Sequence, residues 1–185
     1  MRPNVYVDIQ LSGADASGMS PFVLRSEAFM QLHGHFAKMP GTYALAIPRE
    51  RFDVLRVFAS DRDSLDTLAT ELKADRWFRD YVRLAYPMTI GNDYGGPRVA
   101  FVRWRIPTIK SDRHATGGSS ALRDRRLQQA RERRLDHFQT RSRSTGSRFS
   151  LTVERVERDD LPLEGQPNSY GLSSRQFPLG LPDLP

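Results

Sequence analysis

The sequence contains no cysteine, and only three of its 28 basic residues are lysine. Without cysteine the chain has neither a disulfide framework nor a thiolate metal site. It also lacks any apolar run near the roughly 18 residues of a membrane-spanning helix, and its first residues lack the apolar stretch of a secretory signal. Since 38% of the residues are hydrophobic, the chain can bury a core, and we expect a soluble, intracellular protein.

The positive charge is concentrated in the middle of the chain. Residues 98–158 carry 15 arginines, one lysine and six acids, a net charge of +10, whereas the remaining residues sum to −4. Arginine binds phosphates through two oxygens at a time and stacks on bases. A GC-rich genome explains an arginine bias over the whole chain but not its concentration in one segment. The localised charge therefore indicates a surface that binds nucleic acid.

The hydrophobic periodicity of residues 1–95 predicts a ferredoxin-like domain within an α+β fold. It indicates a strand over 5–11, a helix over 22–39, strands over 42–48 and 54–60, a helix over about 61–73 and a strand ending at Pro87. The order strand, helix, strand, strand, helix, strand is that of the βαββαβ motif. Because this fold serves many functions, it does not identify one by itself.

Residues 96–185 are predicted to form a smaller C-terminal domain that binds RNA. Its elements are a strand over 98–107, a Gly/Ser-rich linker over 111–120, an arginine-rich helix over about 120–138, a strand over 149–156 and a short strand near 169–172. A Ser/Thr-rich loop lies between the helix and the second strand. The tail "FPLGLPDLP" is expected to be irregular.

The arginine-rich helix has six arginines against three acids. Arg123, Arg126 and Arg133 share one face at helical spacing, and Arg125 lies on another. A helix that is merely solvated carries charges of mixed sign, so the excess favours contact with nucleic acid. The phosphates along the deep groove of an A-form RNA duplex suit such a helix. A purely solvated surface helix is the alternative.

Two further arginines, Arg103 and Arg105, lie two residues apart in a predicted strand, so both point to one face. A strand holds them in fixed register, and guanine accepts hydrogen bonds from arginine at O6 and N7. The spacing is compatible with reading base edges. An exposed sheet face with arbitrary charges fits the pattern equally well.

The candidate chemistry depends on histidine. The sequence has four, His33, His35, His114 and His137, and none stands at a metal-ligand spacing with acids. A histidine at the edge of a helix is most often structural. The residues by themselves therefore indicate an RNA-binding α+β protein and leave the histidines without a role.

Three segments extend this interpretation: "FMQLHGHF" at 29–36, "STGSRFSL" at 144–151 and "SYGLS" at 169–173. Together they resemble the type I-F CRISPR repeat-processing endoribonuclease, the Csy family within the RAMP-type RNA-cleaving proteins. The specific part is R-S-x-S-T-G-x-x-F followed about twenty residues later by Y-G-L-S, and the resemblance runs from the first strand to about residue 178.

The resemblance implies a metal-independent enzyme without a cofactor. It would bind the repeat stem-loop of precursor CRISPR RNA and cut at the 3′ base of the stem. The ribose 2′-OH would attack the adjacent phosphate, leaving a 2′,3′-cyclic phosphate and a 5′-OH. The enzyme would stay bound to its product and join other Cas subunits of a type I-F surveillance complex in the cytoplasm of a prokaryote.

The resemblance also assigns site residues. The catalytic positions of the family fall on His33, Ser142 and Tyr170. Its RNA-binding positions fall on Arg103, Arg105, Ser144, Thr145 and Phe149, and on Arg125 and Arg126 of the arginine-rich helix, the only part of that helix that aligns with the family. Arg123 and Arg133 are predicted to bind RNA from their shared helix face, and Arg141 and Arg143 from their place beside the serines. A 2′-OH is a poor nucleophile and needs a base with a pKa near 7, which imidazole provides. A serine can hold the 2′-OH in line, and arginines offset the charge on the phosphate.

Two alternatives remain open from the sequence. A stem-loop-binding subunit that has lost cleavage would carry a similar set of residues. A generic basic DNA- or ribosome-associated protein would explain the charge but not the three motifs together. The chain also departs from the family in having Arg105 where glutamine is usual, so the base pair recognised there is expected to differ.

Overall fold

The computed structural model describes residues 1–12, 18–91, 93–107, 120–141 and 146–185. These residues form two antiparallel sheets that contribute to one hydrophobic core. No helix within these ranges is both long enough and apolar enough to cross a membrane.

The first sheet is built from the N-terminal half of the chain. Its strands are β1 (Val5–Leu11), β2 (Ala44–Ala46), β3 (Val54–Ala59), β4 (Val82–Leu84) and β5 (Met88–Thr89), and its helices are α1 (Pro21–Phe36), α2 (Arg62–Ala74) and α3 (Arg76–Tyr81). The strands lie in the order β2-β3-β1-β4, all antiparallel, and β5 also pairs with β1. This order confirms the predicted α+β fold with a ferredoxin-like sheet.

Helix α1 carries the candidate histidine. Ser20 caps it by accepting a hydrogen bond from the N–H of Val23 (3.3 Å), and Pro21 follows in the first turn, where its missing N–H costs nothing. Phe29 and Phe36 on the predicted apolar face are fully buried. The helix ends at Phe36, and the predicted extension to residue 39 is a turn instead.

The second sheet follows in the C-terminal half. Its elements are β6 (Arg98–Trp104), helix α4 (Ser120–Glu132), β7 (Asp136–Arg141), β8 (Arg148–Glu157) and β9 (Leu181–Pro182). The strand order is β7-β8-β6-β9, again antiparallel throughout. β8 is the long central strand, and β7 and β8 form a hairpin around residues 142–147.

The arginine-rich helix is shorter than the predicted 120–138, because the chain turns out of it at Arg134. That residue adopts a left-handed backbone (φ 49°), and its N–H donates to the carbonyl of Arg131 (3.0 Å). The next N–H, of Leu135, donates to the carbonyl of Ala130 (2.9 Å), which completes a Schellman-type helix end. Glycine is the usual residue at this position. Because arginine stands there instead, the sequence contains no signal for the C-terminal end of the helix.

Two predictions for the C-terminal segment were wrong. The predicted strand near 169–172 is a turn, with an isolated bridge from Ser173 to Val102. The tail is not irregular throughout, because Leu181 and Pro182 form β9 beside the start of β6. Leu181 is 2% exposed, so burial of apolar side chains holds this proline-rich tail against the sheet.

Helix α1 packs against the second sheet as well as the first. The rings of Phe29 and Phe138 stack with centroids 4.2 Å apart, and Arg25 pairs with Asp136. The proposed boundary at residues 95 and 96 falls between the two sheets, and the division into two domains stays a prediction. What matters for the site is that α1 reaches both halves.

Candidate functional site

The turn over residues 168–173 is built from local hydrogen bonds. The side chain of Asn168 accepts from the N–H of Tyr170 (2.8 Å) and from that of Leu172 (3.3 Å). Gly171 has a positive φ of 73°, and its carbonyl accepts from the N–H of Leu45 in β2 (2.8 Å). The N–H of Ser173 donates to the carbonyl oxygen of Phe101 in β6 (2.8 Å). The turn is therefore fixed to both sheets.

His33 lies on α1 directly beside this turn. Its Nδ1 is 2.6 Å from the carbonyl oxygen of Ser169, and its ring stacks on Tyr170 with centroids 3.9 Å apart and planes 10° apart. A carbonyl can only accept, so Nδ1 carries the proton and donates it. In the neutral ring this leaves the lone pair on Nε2, the nitrogen that can act as a base.

Tyr170 is held in turn by other side chains. Its ring also stacks near Phe29, with centroids 6.0 Å apart, and the guanidinium of Arg103 lies 5.9 Å from its centroid. The structure thus brings together three predicted site residues from three separate segments. We call His33, Tyr170 and Arg103 the His33 site.

His35 lies elsewhere. Its Nδ1 is 2.5 Å from a carboxylate oxygen of Glu71 on α2, and its ring meets Phe78 edge-on. Hydrogen bonds from His35 and from Lys38 hold the pKa of Glu71 below its usual value. The side chain of His35 is 14% exposed, so this histidine links α1 to α2 rather than facing Tyr170.

Two further predicted residues, Arg105 and Phe149, belong to the C-terminal half. Arg103 and Arg105, in and just after β6, are both exposed. Phe149 is partly buried and lies opposite Thr140 in the β7–β8 hairpin. Their positions are compatible with contact to a ligand above the sheet, and their roles stay predictions.

Several predicted residues come between β7 and β8 in the chain. Ser142, Arg143, Ser144 and Thr145 lie outside the described residues. The backbone of Arg141 ends β7, opposite Arg148 in β8. The assignment of these residues to the cut therefore still depends on the sequence motif.

Three of the predicted helical arginines make contacts within the protein. Arg123 donates to the carbonyl of Pro107 (2.5 Å). The guanidinium groups of Arg126 and Arg133 lie over the ring of Trp104, at 4.5 and 5.2 Å from its centroid. Arg125 is exposed. Helix α4 thus packs on the sheet through stacked arginines, and RNA contact by all four remains a prediction.

The sequence analysis missed the residues that receive these arginines. Trp104 is 5% exposed and its Nε1 donates to the carbonyl of Arg126 (3.3 Å). Glu154, 3% exposed in β8, forms ion pairs with Arg133 (2.5 Å) and with Arg175. A tryptophan and a glutamate within strands carry no distinctive spacing. The available signal was that the apolar residues of the helix, Leu122, Leu127, Ala130 and Leu135, make a poor stripe, so the helix needs another way of packing.

Replacing Gly171 with alanine tests whether the turn positions the His33 site. The added Cβ would lie 2.8 Å from Cε2 of Phe36 and 3.0 Å from the backbone nitrogen of Leu45. Left-handed strain and overpacking together should lower the free energy of unfolding by roughly 2–4 kcal/mol. Chemical denaturation measures this loss.

The matched control for this variant is Gly18→Ala. Gly18 also has a positive φ, 68°, but no atom of the described residues lies within 4 Å of its added Cβ. The Gly18→Ala variant should lose only about 1–2 kcal/mol of its free energy of unfolding, from the strain of a left-handed backbone. Equal losses in the two variants would contradict a tightly packed turn beneath Tyr170.

Comparison with known protein families identifies a relationship. The model of a protein family described as CRISPR-associated protein (Cas_Csy4) matches residues 6–178. The match covers strands of both sheets, all except β9, and every segment that contributes to the His33 site. No curated protein matches the chain.

Proposed function

This chain belongs to the Cas_Csy4 family of CRISPR-associated proteins, and from that membership we propose that it cuts the repeat stem-loop of precursor CRISPR RNA at the 3′ base of the stem. The family is that of the CRISPR endoribonucleases, which process CRISPR RNA. The observation that carries the proposal is the orientation of His33. Its Nδ1 is bound to the carbonyl of Ser169, and its ring is stacked on Tyr170.

His33 acts as the general base in this proposal. Its Nε2 takes the proton of the ribose 2′-OH upstream of the cut, and the 2′-oxygen forms a bond to the adjacent phosphorus. The bond from phosphorus to the 5′-oxygen breaks, and that oxygen leaves as a 5′-OH after taking up a proton. The products are a 2′,3′-cyclic phosphate and a 5′-OH, and no metal ion takes part.

The hairpin tip supplies positioning and charge. Ser142 holds the 2′-OH in line with the phosphorus, which is catalysis by orientation. Arg141 and Arg143 offset the charge that builds up on the phosphate oxygens. Ser144 and Thr145 bind the ribose and phosphate beside the cut.

Other residues grip the stem. Phe149 stacks on a base, and the α4 arginines Arg123, Arg125, Arg126 and Arg133 bind phosphates of the duplex. The protein stays on its product within a type I-F surveillance complex that contains other Cas subunits. These assignments rest on the family membership, on the excess of arginine in this segment and on the exposure of Arg125 and Arg133.

Arg103 and Arg105 are proposed to read base edges of the stem. Replacing either with alanine should reduce discrimination at one stem position by about 1–3 kcal/mol, because a bidentate contact to guanine is lost. Competition binding with stems that differ at single base pairs measures this loss of discrimination and does not depend on cleavage. Arg62→Ala, an exposed arginine on α2, serves as the control. Uniform weakening across all stems would instead assign both arginines to phosphates.

One experiment tests the proposed function as a whole. The protein is incubated with the stem-loop RNA of its repeat in the presence of EDTA, and the products are resolved and their ends analysed. Cleavage at the 3′ base with a cyclic phosphate supports the proposal. Tight stem-loop binding without cleavage indicates a binding subunit, and equal affinity for duplex DNA indicates a generic basic protein.

A further inference from the structure

A cavity of about 330 Å³ lies at the end of α1 opposite His33. Its lining includes five arginines and one carboxylate: Arg25, Arg49, Arg133, Arg134, Arg155 and Asp136. Arg25 and His33 are eight residues apart on α1, which corresponds to about 12 Å along the helix axis. The cavity is therefore distinct from the His33 site but close to it.

Arg25 is the unusual residue of this cavity. It is 5% exposed, and its guanidinium lies 4.4 Å from the ring centroid of Phe52. One nitrogen donates to Asp136 (3.0 Å), while Nε is buried without a hydrogen-bond partner among the described residues. Burial, which disfavours the charged form, lowers the pKa of Arg25. A buried cation with an unused donor is stabilised by a further anion.

The other arginines differ in how fully they are neutralised. Arg155 forms ion pairs with Asp183 and Glu157, and Arg49, with a side chain 67% exposed, shares Glu157. Arg134 is exposed, and no carboxylate among the described residues forms an ion pair with it. Arg133 also pairs with Glu154, so among the lining arginines of the described residues Arg134 carries a charge that no carboxylate of the protein offsets, and Arg49 is largely exposed.

We propose that this cavity binds the backbone of the unpaired RNA that flanks the stem. Arginine forks suit phosphate oxygens, and the ring of Phe52, 46% exposed, offers a surface on which a base can stack. The volume matches that of a site for a small ligand such as one nucleotide. The inference rests on the proposed function, since the flank begins at the base of the stem, where the cut is made.

An acidic protein segment would also be attracted to these arginines. The exposed ring of Phe52 beside the arginines favours RNA. A nucleotide can stack its base on the ring and bind its phosphate to the arginines, whereas a carboxylate side chain can bind only to the arginines. A short RNA flank can also reach the cavity from the His33 site, because the two are separated by about 12 Å along the axis of α1. Protein binding is therefore an outcome of the test and not the proposal.

The test compares three RNAs: the bare stem-loop, the stem-loop with a short 5′ oligouridine flank, and the stem-loop with a 3′ flank made uncleavable by a 2′-deoxy ribose at the cut. We expect one flank to raise the affinity of the wild-type protein. It should also steepen the dependence of log Kd on log salt by about 0.7 for each phosphate bound. Both gains should be lost in the double variant Arg49→Ala/Arg134→Gly.

The double variant is chosen to keep the fold. Glycine accepts the left-handed backbone of residue 134 without strain, and Arg49 is largely exposed. Its affinity for the bare stem-loop should equal that of the wild type. Arg76→Ala removes a charge from an exposed arginine on α3 that does not line the cavity, and it should keep the flank effect.

The outcomes separate the two proposals. If neither flank raises affinity, or if the double variant keeps the full gain, the cavity does not bind flanking RNA, and an acidic partner becomes the better candidate. If the wild-type protein shows no preference for the stem-loop over duplex DNA, the proposed function itself is wrong.

Discussion

His33→Ala should abolish detectable cleavage while leaving stem-loop affinity within a few-fold of the wild type. Removing a general base costs about 10²–10⁴-fold in rate. Binding should persist, because the proposed function assigns the grip on the stem to arginines on and beside α4 and β6 and not to the imidazole. Single-turnover cleavage at saturating protein and a separate binding titration measure the two effects independently.

His35→Ala is the matched control for this prediction. Both histidines lie on α1, two residues apart, but His35 bonds to Glu71 and not to the turn that carries Tyr170. Its loss should reduce stability modestly, because the partner carboxylate is 40% exposed, and it should leave the rate of cutting nearly unchanged. An inactive His35→Ala beside an active His33→Ala would show that the chemistry depends on His35 and that the assignment to His33 is wrong.

Tyr170→Ala should lower the rate of cutting about 10²-fold at saturating protein, with little change in stem-loop affinity. The ring stacks on His33 with centroids 3.9 Å apart, so its removal frees the imidazole to move. A displacement of about 1 Å at a reacting group can slow a reaction about 10²-fold. A fall in the saturated rate without a change in Kd is the mark of a positioning residue.

Tyr170→Phe separates the ring from its hydroxyl. Phenylalanine keeps the stacked ring beside His33 and Phe29, so cutting should stay close to the wild-type rate. If Tyr170→Phe were as slow as Tyr170→Ala, the hydroxyl rather than the stack would be the required group. A fully active Tyr170→Ala would contradict any role for the ring in holding the imidazole.

The fold was predictable where burial follows a simple period. In β1 the buried residues Val5, Val7, Ile9 and Leu11 alternate with more exposed ones, and that alternation is visible in the sequence. The C-terminal half was harder. Helix α4 ends at an arginine in a left-handed conformation, and β9 lies within a proline-rich tail. Local pattern predicts neither, because tertiary packing decides both.

The candidate site illustrates the same limit. His33 and Ser169 are 136 positions apart in the chain, and no periodicity links them. The resemblance to a family pointed to His33 and Tyr170, and the structure adds how they meet: a stacked pair, a bonded Nδ1 and a turn fixed by Gly171. The arginine-lined cavity has no sequence signature, because its residues come from α1, two loops, β7 and β8.

An RNA that carries a single 2′-deoxy ribose immediately upstream of the cut tests whether the ribose hydroxyl is the nucleophile. We expect this RNA to bind with unchanged affinity and never to be cut, because the attacking hydroxyl is gone. Cutting of the deoxy substrate by the wild-type protein would mean that water attacks the phosphate, and the mechanism built on His33 would be wrong.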